Sequence, residues 1–299
     1  MLATLVREPF HRHGWTYEEK YDGIRILAYK EGTRVRLLTR NDIDRTDRFP
    51  HIATAIRNLH HVTLLLDGEV AVFDRKRVSR FQLLQNGTEE SVFAVFDCLF
   101  LEGNDLRQEP LSKRRVAMED AIGSSKILLP SRVLNANGLE ASRIAQSKGF
   151  EGVVAKDLNS PYVEGRSKLW LKIKVHQQDE FVIVGFTKPS GSRKHFGALL
   201  LGAYRDKTLC FVGKVGTGFN QKALATLYRV LRPLIRNTSN NKGPDLADAP
   251  RESGITFVQP RLVAQISYQE LTADQKLRQP VFLGLRDDKS PKDVQLPEM

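Results

Sequence analysis

The chain has 299 residues, 41% of them hydrophobic and 27% charged, a composition of ordinary globular protein with material for about two domains. No run of roughly 18 apolar residues exists to cross a membrane, and Arg7, Glu8 and Pro9 break any secretory apolar core near the N-terminus. The net charge of +11 points to a polyanionic partner, because Lys and Arg that neutralise phosphates release counterions. In chain order, alternating or continuous apolar runs predict strands at 24–29, 34–38, 62–66, 70–73 and 93–100, with Gly32, Gly68 and Gly103 in the intervening turns. Helical spacing predicts helices at 49–59, 112–122 and 138–148; the first follows Asp47 and carries Ile52, Ile56 and Leu59 on one face. Cys98 and Cys210 each lie in an apolar run and are expected as buried free thiols in a reducing compartment.

The pattern changes from about Gln177. Strands are predicted at 181–186, 198–204, 208–215, 256–260 and 262–268, with one helix at 222–235. Several short strands with a single helix fit a small barrel such as an OB-fold. Residues 237–250 are polar and rich in Gly, Pro and Asp, so a surface loop is expected there. The domain boundary is expected near His176 to Asp179, dividing the chain into 1–176 and 177–299.

The string Glu18-Glu19-Lys20-Tyr21-Asp22-Gly23-Ile24-Arg25 sets a lysine among carboxylates just ahead of a predicted strand. A deprotonated lysine amine is a competent covalent nucleophile. Alone, Lys-x-Asp-Gly is as well explained by a surface turn with a solvated lysine. Other segments alter that weighting. Arg40 ends a predicted strand, Asp67-Gly68-Glu69 places carboxylates among apolar runs, and Phe96-Asp97 sits in a buried-strand run. Glu151 and Lys156 bracket the apolar segment between them, and Trp170-Leu171-Lys172-Ile173-Lys174 alternates apolar residues with lysines. On a strand, Lys172 and Lys174 point to one face, where two ammonium groups call for an anion such as a triphosphate.

Taken together and in this order, these segments resemble the motif set of the covalent nucleotidyltransferase superfamily of DNA ligases, RNA ligases and capping enzymes. The resemblance is to ATP-dependent DNA ligases, above all the ligase domain of bacterial ligase D. It is supported further by Arg48-Phe49-Pro50, Ser79 to Leu84, Gly165-Arg166-Ser167 and Pro280 to Lys289, and it runs from Met1 to near Val294. It implies an α+β fold: a nucleotidyltransferase (ATP-grasp-like) adenylation domain with antiparallel sheets and helices, followed by an OB-fold β-barrel domain.

The resemblance also implies roles. Lys20 would form a phosphoramidate with AMP. Arg25 and Arg40 would meet nucleotide or nick phosphate, Glu18 the adenine edge, Glu69 the ribose hydroxyls or a metal, and Phe96 the adenine face. Glu151 would serve Mg²⁺ or Mn²⁺. Lys172, Lys174 and Arg166 would bind phosphate, and Arg286, Asp288 and Lys289 would orient the leaving pyrophosphate. The same cations are expected to lower the pKa of Lys20. Implied substrates are ATP and nicked double-stranded DNA, with a Ku-type end-binding partner. A monomeric, cytoplasmic, nucleoid-associated enzyme of DNA repair and end joining is expected, either excised from a longer protein or standing alone without an encircling N-terminal module. An RNA ligase or a GTP-using capping enzyme is the alternative.

Simpler readings stand beside several of these residues. Phe96 is also explained by core packing, Lys156 by a solvated strand end, Arg166 by a surface salt bridge, and Asp67 and Asp97 by turn or backbone contacts. The basic stretch 188–195 reads as a DNA-backbone contact or a solvated hairpin. His11, His13, His60 and His61 lack metal-ligand spacing with any cysteine, so no zinc site is expected.

Overall fold

Alternation of polar and apolar residues along three segments organises the first half of the molecule. In the computed structural model, residues 1–86, 90–175, 177–191, 193–236, 246–250 and 252–296 are described, and two compact units are formed by Met1–Val175 and His176–Met299. The first unit runs β1 (Leu2–Val6), β2 (Trp15–Lys20), β3 (Ile24–Glu31), β4 (Arg34–Thr39), α1 (Pro50–Arg57), β5 (Thr63–Ala71), α2 (Phe81–Asn86), β6 (Val92–Leu101) and β7 (Asn104–Asp105). It continues with α3 (Leu111–Ile122), β8 (Leu128–Pro130), β9 (Val133–Asn135), α4 (Gly138–Lys148), β10 (Gly152–Asp157) and β11 (Arg166–Lys174).

One sheet has the order β1-β11-β10-β2-β9. Its register aligns Lys20 with Gly152 and Lys174, Glu18 with Val154 and Lys172, and Thr16 with Lys156 and Trp170. Residues paired in register project to the same face. One face therefore carries Glu18, Lys20, Lys156, Lys172 and Lys174. The other carries Tyr17, Val153, Ala155, Leu171 and Ile173, buried against Ala141 and Ala145 of α4. Asn137 caps α4 by accepting from the Leu139 and Glu140 N–H groups, and Gly149 closes it in the left-handed region at φ 74°.

The second sheet has the order β4-β3-β5-β6-β7, with β8 alongside β6. Ile24, Ile26 and Ala28 of β3 face a core shared with Ile52 and Ile56 of α1 and Met118 and Ile122 of α3. Arg25, between two of them, must point the other way. The expected strands at 62–66 and 70–73 are one strand, β5, with Gly68 inside it rather than in a turn. A Cβ there would sit 2.6 Å from the Phe93 ring and 2.7 Å from the Ala94 carbonyl oxygen. The glycine permits close approach of β6 at a register shift between Asp67 and Gly68.

The second unit comprises β12 (Gln178–Thr187), β13 (Leu199–Arg205), β14 (Thr208–Val215), α5 (Gln221–Leu231), β15 (Leu246–Ala247), β16 (Ile255–Ser267), β17 (Glu270–Leu271), β18 (Leu277–Arg278) and β19 (Val281–Leu285). The expected helix at 222–235 stops at Leu231 and passes into a 3₁₀ turn containing Pro233, which has no N–H to continue the ladder. The strands expected at 256–260 and 262–268 are the single strand β16. Phe257 pairs with Gly185 and Leu262 with Ile183, so the residues between them bulge away from β12 and accommodate Pro260.

The sequence predicts a barrel, but the described strands form an open path, β15-β14-β13-β12-β16-β19. The segment just after β14 approaches β19 through an isolated parallel bridge from Thr217 to Val281. A single bridge does not make a closing ladder. Most of the loop expected at 237–250 lies outside the described residues. Among the described residues no helix is long and apolar enough to cross a membrane.

Candidate active site

Lys20 ends β2, and its ammonium nitrogen lies 2.5 Å from Oε1 of Glu151, the residue just ahead of β10. Gly152 stands between Lys20 and Lys174 in the cross-strand row. A Cβ at Gly152 would fall 2.1 Å from the Ile173 carbonyl oxygen, so only glycine lets β10 sit against β11 here. Burial acts to lower the Lys20 pKa, but Glu151, Glu69 and Asp22 together outweigh it and raise the pKa above its ordinary value. This corrects the expectation of a lowered pKa: the carboxylates, led by Glu151 at ion-pair distance, dominate the local field. Asp22 also has a structural task. Its Oδ2 accepts from the N–H of Phe81, the first residue of α2, at 3.2 Å, while its own N–H donates to Ser79 Oγ at 2.9 Å.

Glu18, on the same face of β2, is 1% exposed. Its Oε2 accepts from Lys156 Nζ at 2.7 Å and from Ser131 Oγ at 2.8 Å, and its Oε1 accepts from Arg115 of α3. A carboxylate has about four acceptor sites, so three protein donors leave Oε1 room for one more. Lys156 is not a solvated strand end. It is 2% exposed, with its ammonium 4.4 Å from the Phe96 ring centroid and 4.3 Å from that of Trp170. Burial lowers its pKa, and Glu18 opposes that.

Phe96 is half-buried and meets Trp170 edge-on, with ring centroids 5.8 Å apart. Arg25 lies 5.4 Å from the same Phe96 ring. Its guanidinium forks onto Asp67, Nε to Oδ1 at 2.9 Å and Nη2 to Oδ2 at 2.6 Å, while the Tyr162 hydroxyl donates to Oδ2 at 2.8 Å. Asp67 thus orients Arg25 rather than capping a turn. Asp97 has a purely internal partner: it forks onto Arg114 of α3 at 2.7 and 2.8 Å, with both side chains fully buried. Arg114 also donates to the Ser160 carbonyl at 2.9 Å.

The remaining candidates differ in placement. Glu69 is half-buried on β5 opposite Arg25, and its charge acts on both Arg25 and Lys20. Lys172 and Lys174 are half-buried on the Lys20 face of the first sheet. Arg40 is exposed at the end of β4. Arg166, also exposed, donates to the Ala3 carbonyl at 2.9 Å rather than joining a surface salt bridge. Arg286, Asp288 and Lys289 belong to the second unit. Arg286 forks onto Asp288 at 2.8 Å through both Nε and Nη2, and its Nη1 reaches Gln265 Oε1 at 3.1 Å. Lys289 lies 3.4 Å from Glu180. In the basic stretch 188–195, Ser192 lies outside the described residues, and Arg193 donates to the Gly216 carbonyl at 2.7 Å.

Arg115, Ser131 and Tyr162 escape sequence reasoning. Arg115 sits in Lys113-Arg114-Arg115, which reads as a solvated basic run, and no local spacing ties it to Glu18. Lys156 carries a usable signal: it shares the strand parity of Gly152 and Val154, hence the face of Lys20 and Glu18. Among the described residues no group of three or more His, Cys, Asp or Glu could hold a metal ion unaided. Glu151 and Glu69 nevertheless suit a hard divalent ion, because Mg²⁺ commonly takes one or two carboxylates and completes its shell with phosphate oxygens and water.

The site thus sets a carboxylate-paired lysine beside two further lysines, on a sheet facing an aromatic and an arginine. The computed structure superposes on a mycobacterial DNA ligase D solved with ATP and MES, with TM-score 0.70 and 32% identity over 99% of this chain and 98% of that one. It also matches the ligase domain of M. tuberculosis LigD, with TM-score 0.51 and 33% identity over 98% and 97% of the two chains. The fold class is therefore the nucleotidyltransferase and OB-fold pair of ATP-dependent ligases.

The family model for the ATP dependent DNA ligase domain matches residues 1–174, and that for the ATP dependent DNA ligase C terminal region matches 192–289. The chain belongs to the ATP-dependent DNA ligase family. Among curated relatives, the multifunctional non-homologous end joining protein LigD of Pseudomonas aeruginosa is 40% identical over 98% of this chain and 36% of its own length. LigD of Mycolicibacterium smegmatis is 36% identical over 94% of this chain and 37% of its own. The chain thus spans little more than a third of the length of these LigD relatives. These matches are to ATP-dependent DNA ligases and do not favour the RNA-ligase or GTP-using capping alternative.

Proposed function

We propose that the chain seals nicks in double-stranded DNA in three steps, with Lys20 as the covalent nucleophile. The observation that carries this reading is the row Lys20–Gly152–Lys174, with Glu151 on the amine of Lys20 and Lys172 one row away. First, Nζ of Lys20 bonds to the α-phosphorus of ATP as the bond to pyrophosphate breaks, and the amine sheds its proton. Second, the phosphoramidate transfers AMP to the 5′-phosphate of the nick. Third, the 3′-hydroxyl attacks that phosphate and AMP leaves.

Lys172 and Lys174 neutralise charge that builds on phosphate oxygens during attack. Phe96 offers a flat face to the base and Glu18 an acceptor to its amino edge. Glu69 meets the ribose hydroxyls. Arg25, Arg40 and Arg166 serve phosphates of nucleotide or nick. Glu151, with Glu69, would hold Mg²⁺ or Mn²⁺, which when bound would supply positive charge to a nucleotide phosphate. Arg286, Asp288 and Lys289 orient pyrophosphate in the first step.

In this reading residues 1–176 are the adenylation domain and 177–299 the OB-fold domain. The physiological setting is bacterial double-strand-break repair by end joining. The enzyme acts there as a nucleoid-associated, cytoplasmic monomer with a Ku-type end-binding partner.

The test is to mix the protein with Mg²⁺ and ATP labelled at the α-phosphate, then chase with nicked DNA. Label on the denatured protein from ATP and not GTP, absent in Lys20→Ala and discharged as sealed DNA, is the expected result. Absence of label after pyrophosphate pretreatment, which strips any bound AMP, would remove Lys20 from the role of nucleophile.

A further inference from the structure

Glu18 is almost fully enclosed on the Lys20 face, and its carboxylate is held from both ends. Lys156 and Ser131 fix Oε2, and both belong to the neighbourhood of the first sheet. Oε1 is held from elsewhere in the fold: Arg115 projects from α3, the helix that packs on the second sheet, and its side chain is only 11% exposed. A second Arg115 nitrogen lies 3.5 Å from the Ser131 carbonyl and 3.5 Å from Glu119, so the guanidinium is itself fixed on more than one side.

The terminal torsion of a glutamate is intrinsically soft and has no sharp staggered minimum. Lys156 and Ser131 converge on one oxygen and leave the other free to swing. The contact from α3 removes that freedom. It also means that both oxygens of the carboxylate accept from protein donors, so the group presents acceptors to anything that approaches it.

An acceptor-only group of fixed direction distinguishes purines. The 6-amino group of adenine can donate to it. The 6-oxo group of guanine places a second acceptor against it, and two opposed acceptors repel. A carboxylate free to rotate would turn away from the oxo group and expose the Lys156 and Ser131 donors instead, which accept guanine readily. Selection therefore depends on the group that stops the rotation.

We propose that Arg115, which lies outside the strings that carry the resemblance, is the positioning residue that fixes the carboxylate of Glu18 and so sets the preference for a 6-amino over a 6-oxo purine nucleotide. The proposal rests on the reading of Glu18 as the contact to the adenine amino edge. It concerns selectivity, not the capacity to form the lysyl adduct.

The experiment compares the intact protein with Arg115→Met, Arg115→Lys and Glu18→Gln, each checked for folding by thermal melting. Formation of the protein–nucleotide adduct is measured with α-labelled ATP and α-labelled GTP over a range of concentrations. Arg115→Met is expected to lower the ATP-to-GTP ratio of second-order rate constants by about tenfold or more, since a hydrogen-bonding site loses discrimination when its polar group is released. Arg115→Lys keeps the charge but not the fork and is expected to recover part of the ratio.

Equal loss with both nucleotides in Arg115→Met, at an unchanged ratio, overturns the proposal and leaves Arg115 a structural residue. If Arg115→Met does not fold, Arg115→Lys decides: a ratio lowered by about threefold or more supports positioning, and an unchanged ratio overturns it. An unchanged ratio in Glu18→Gln sinks the underlying reading of Glu18, whatever the Arg115 variants do.

Discussion

The ammonium of Lys20 and the carboxylate of Glu151 form a 2.5 Å ion pair across the junction of β2 and β10. Burial alone would ease the proton off Lys20, but Glu151 and the more distant Glu69 and Asp22 hold it on. The proposed nucleophile is thus stored in its unreactive, protonated form. For stability the sign is clear: a raised lysine pKa contributes fully at neutral pH, and the contribution is lost only as pH rises through the folded-state pKa. For reaction the sign is opposite, since only the free amine attacks. Self-adenylylation should accelerate as pH rises on the alkaline side. Glu151→Gln should move the midpoint of that profile downward, and lower its plateau by about 100-fold if Glu151 also serves the proposed metal. Label incorporation over a pH series separates the two effects. An unmoved midpoint would show that Glu151 does not govern the proton.

Gly152 makes that pair possible by letting β10 close on β11. Its missing Cβ would stand 2.1 Å from the Ile173 carbonyl oxygen and 3.0 Å from the Lys174 Cα. Both are backbone atoms, so no side-chain rotation relieves the clash. Gly152→Ala should cost about 2–3 kcal/mol of stability, as overpacking of a closed strand pair does. It should also separate Lys20 from Lys174 and slow adduct formation more than the stability loss accounts for. Denaturant melts and labelling at a temperature where the variant is fully folded check both parts. A variant with wild-type stability would mean that β10 shifts at no cost.

Glu19 points away from Lys20 into the core beneath it and is 2% exposed. Arg132 lies 3.0 Å from its Oε2, yet neither carboxylate oxygen has an aligned hydrogen bond. The contact is Coulombic without being a good bond. Burial pushes the Glu19 pKa up to about 7, with Arg132 opposing. A carboxyl whose folded pKa exceeds its unfolded value binds protons more readily when folded, so stability falls as pH rises from the unfolded value toward 7 and is flat above it. Glu19→Gln removes that dependence. It should raise the melting temperature at pH 8 while changing it little at pH 5, with a gain of about 1–3 kcal/mol at the higher pH. Equal shifts at both pH values would point to packing rather than ionisation.

Much of this site was legible because its parts lie on strands. Parity places Lys172 with Lys174 on one face, whereas Glu18 and Lys20 share a face of β2, a strand the sequence pattern did not predict. The helices at 112–122 and 138–148 announced themselves by spacing, and α4 begins and ends where its cap residues predict. What stayed hidden depends on contacts between elements distant in sequence. Arg115 reaches a carboxylate 97 residues away, and Asp67 forks onto an arginine 42 residues away. Gly68 was misread for a related reason: a glycine between apolar runs looks like a turn until the neighbouring ring that crowds it is known. Pro260 likewise suggested a break where a bulge absorbs it within one strand. The pKa of Lys20 was misjudged because its cationic neighbours were legible and the dominance of Glu151 was not.

Binding to nicked DNA should be strongly salt-dependent. The net charge of +11 favours phosphate contacts, which release counterions on forming. Affinity for a nicked duplex should fall by about 100-fold or more between roughly 50 and 200 mM salt. A filter-binding or anisotropy titration at several salt concentrations gives the slope. A flat response would mean that apolar or base contacts dominate instead.

In the second unit, Arg286 is 8% exposed and Asp288 4% exposed, and the two form a bidentate pair at 2.8 Å through each contact. Burial would raise the Asp288 pKa, but Arg286 outweighs it and holds the carboxyl below its ordinary value. The pair therefore stabilises the fold above the ordinary carboxyl pKa and is lost as pH falls through the lowered one. Asp288→Asn strips the charge while Gln265, 3.1 Å from Arg286, remains as an acceptor. The expected cost is about 3 kcal/mol, at the low end for breaking a buried pair. If Arg286 serves the pyrophosphate of the first step, Arg286→Ala should slow self-adenylylation by about 100-fold, as losing a cation that stabilises developing phosphate charge does. It should slow sealing of a nick that already carries 5′-AMP far less, because no pyrophosphate leaves in that reaction. Single-turnover assays on the two substrates, run below the melting temperature of each variant, give the comparison. Parallel losses in both assays would place Arg286 in a structural role within its own unit.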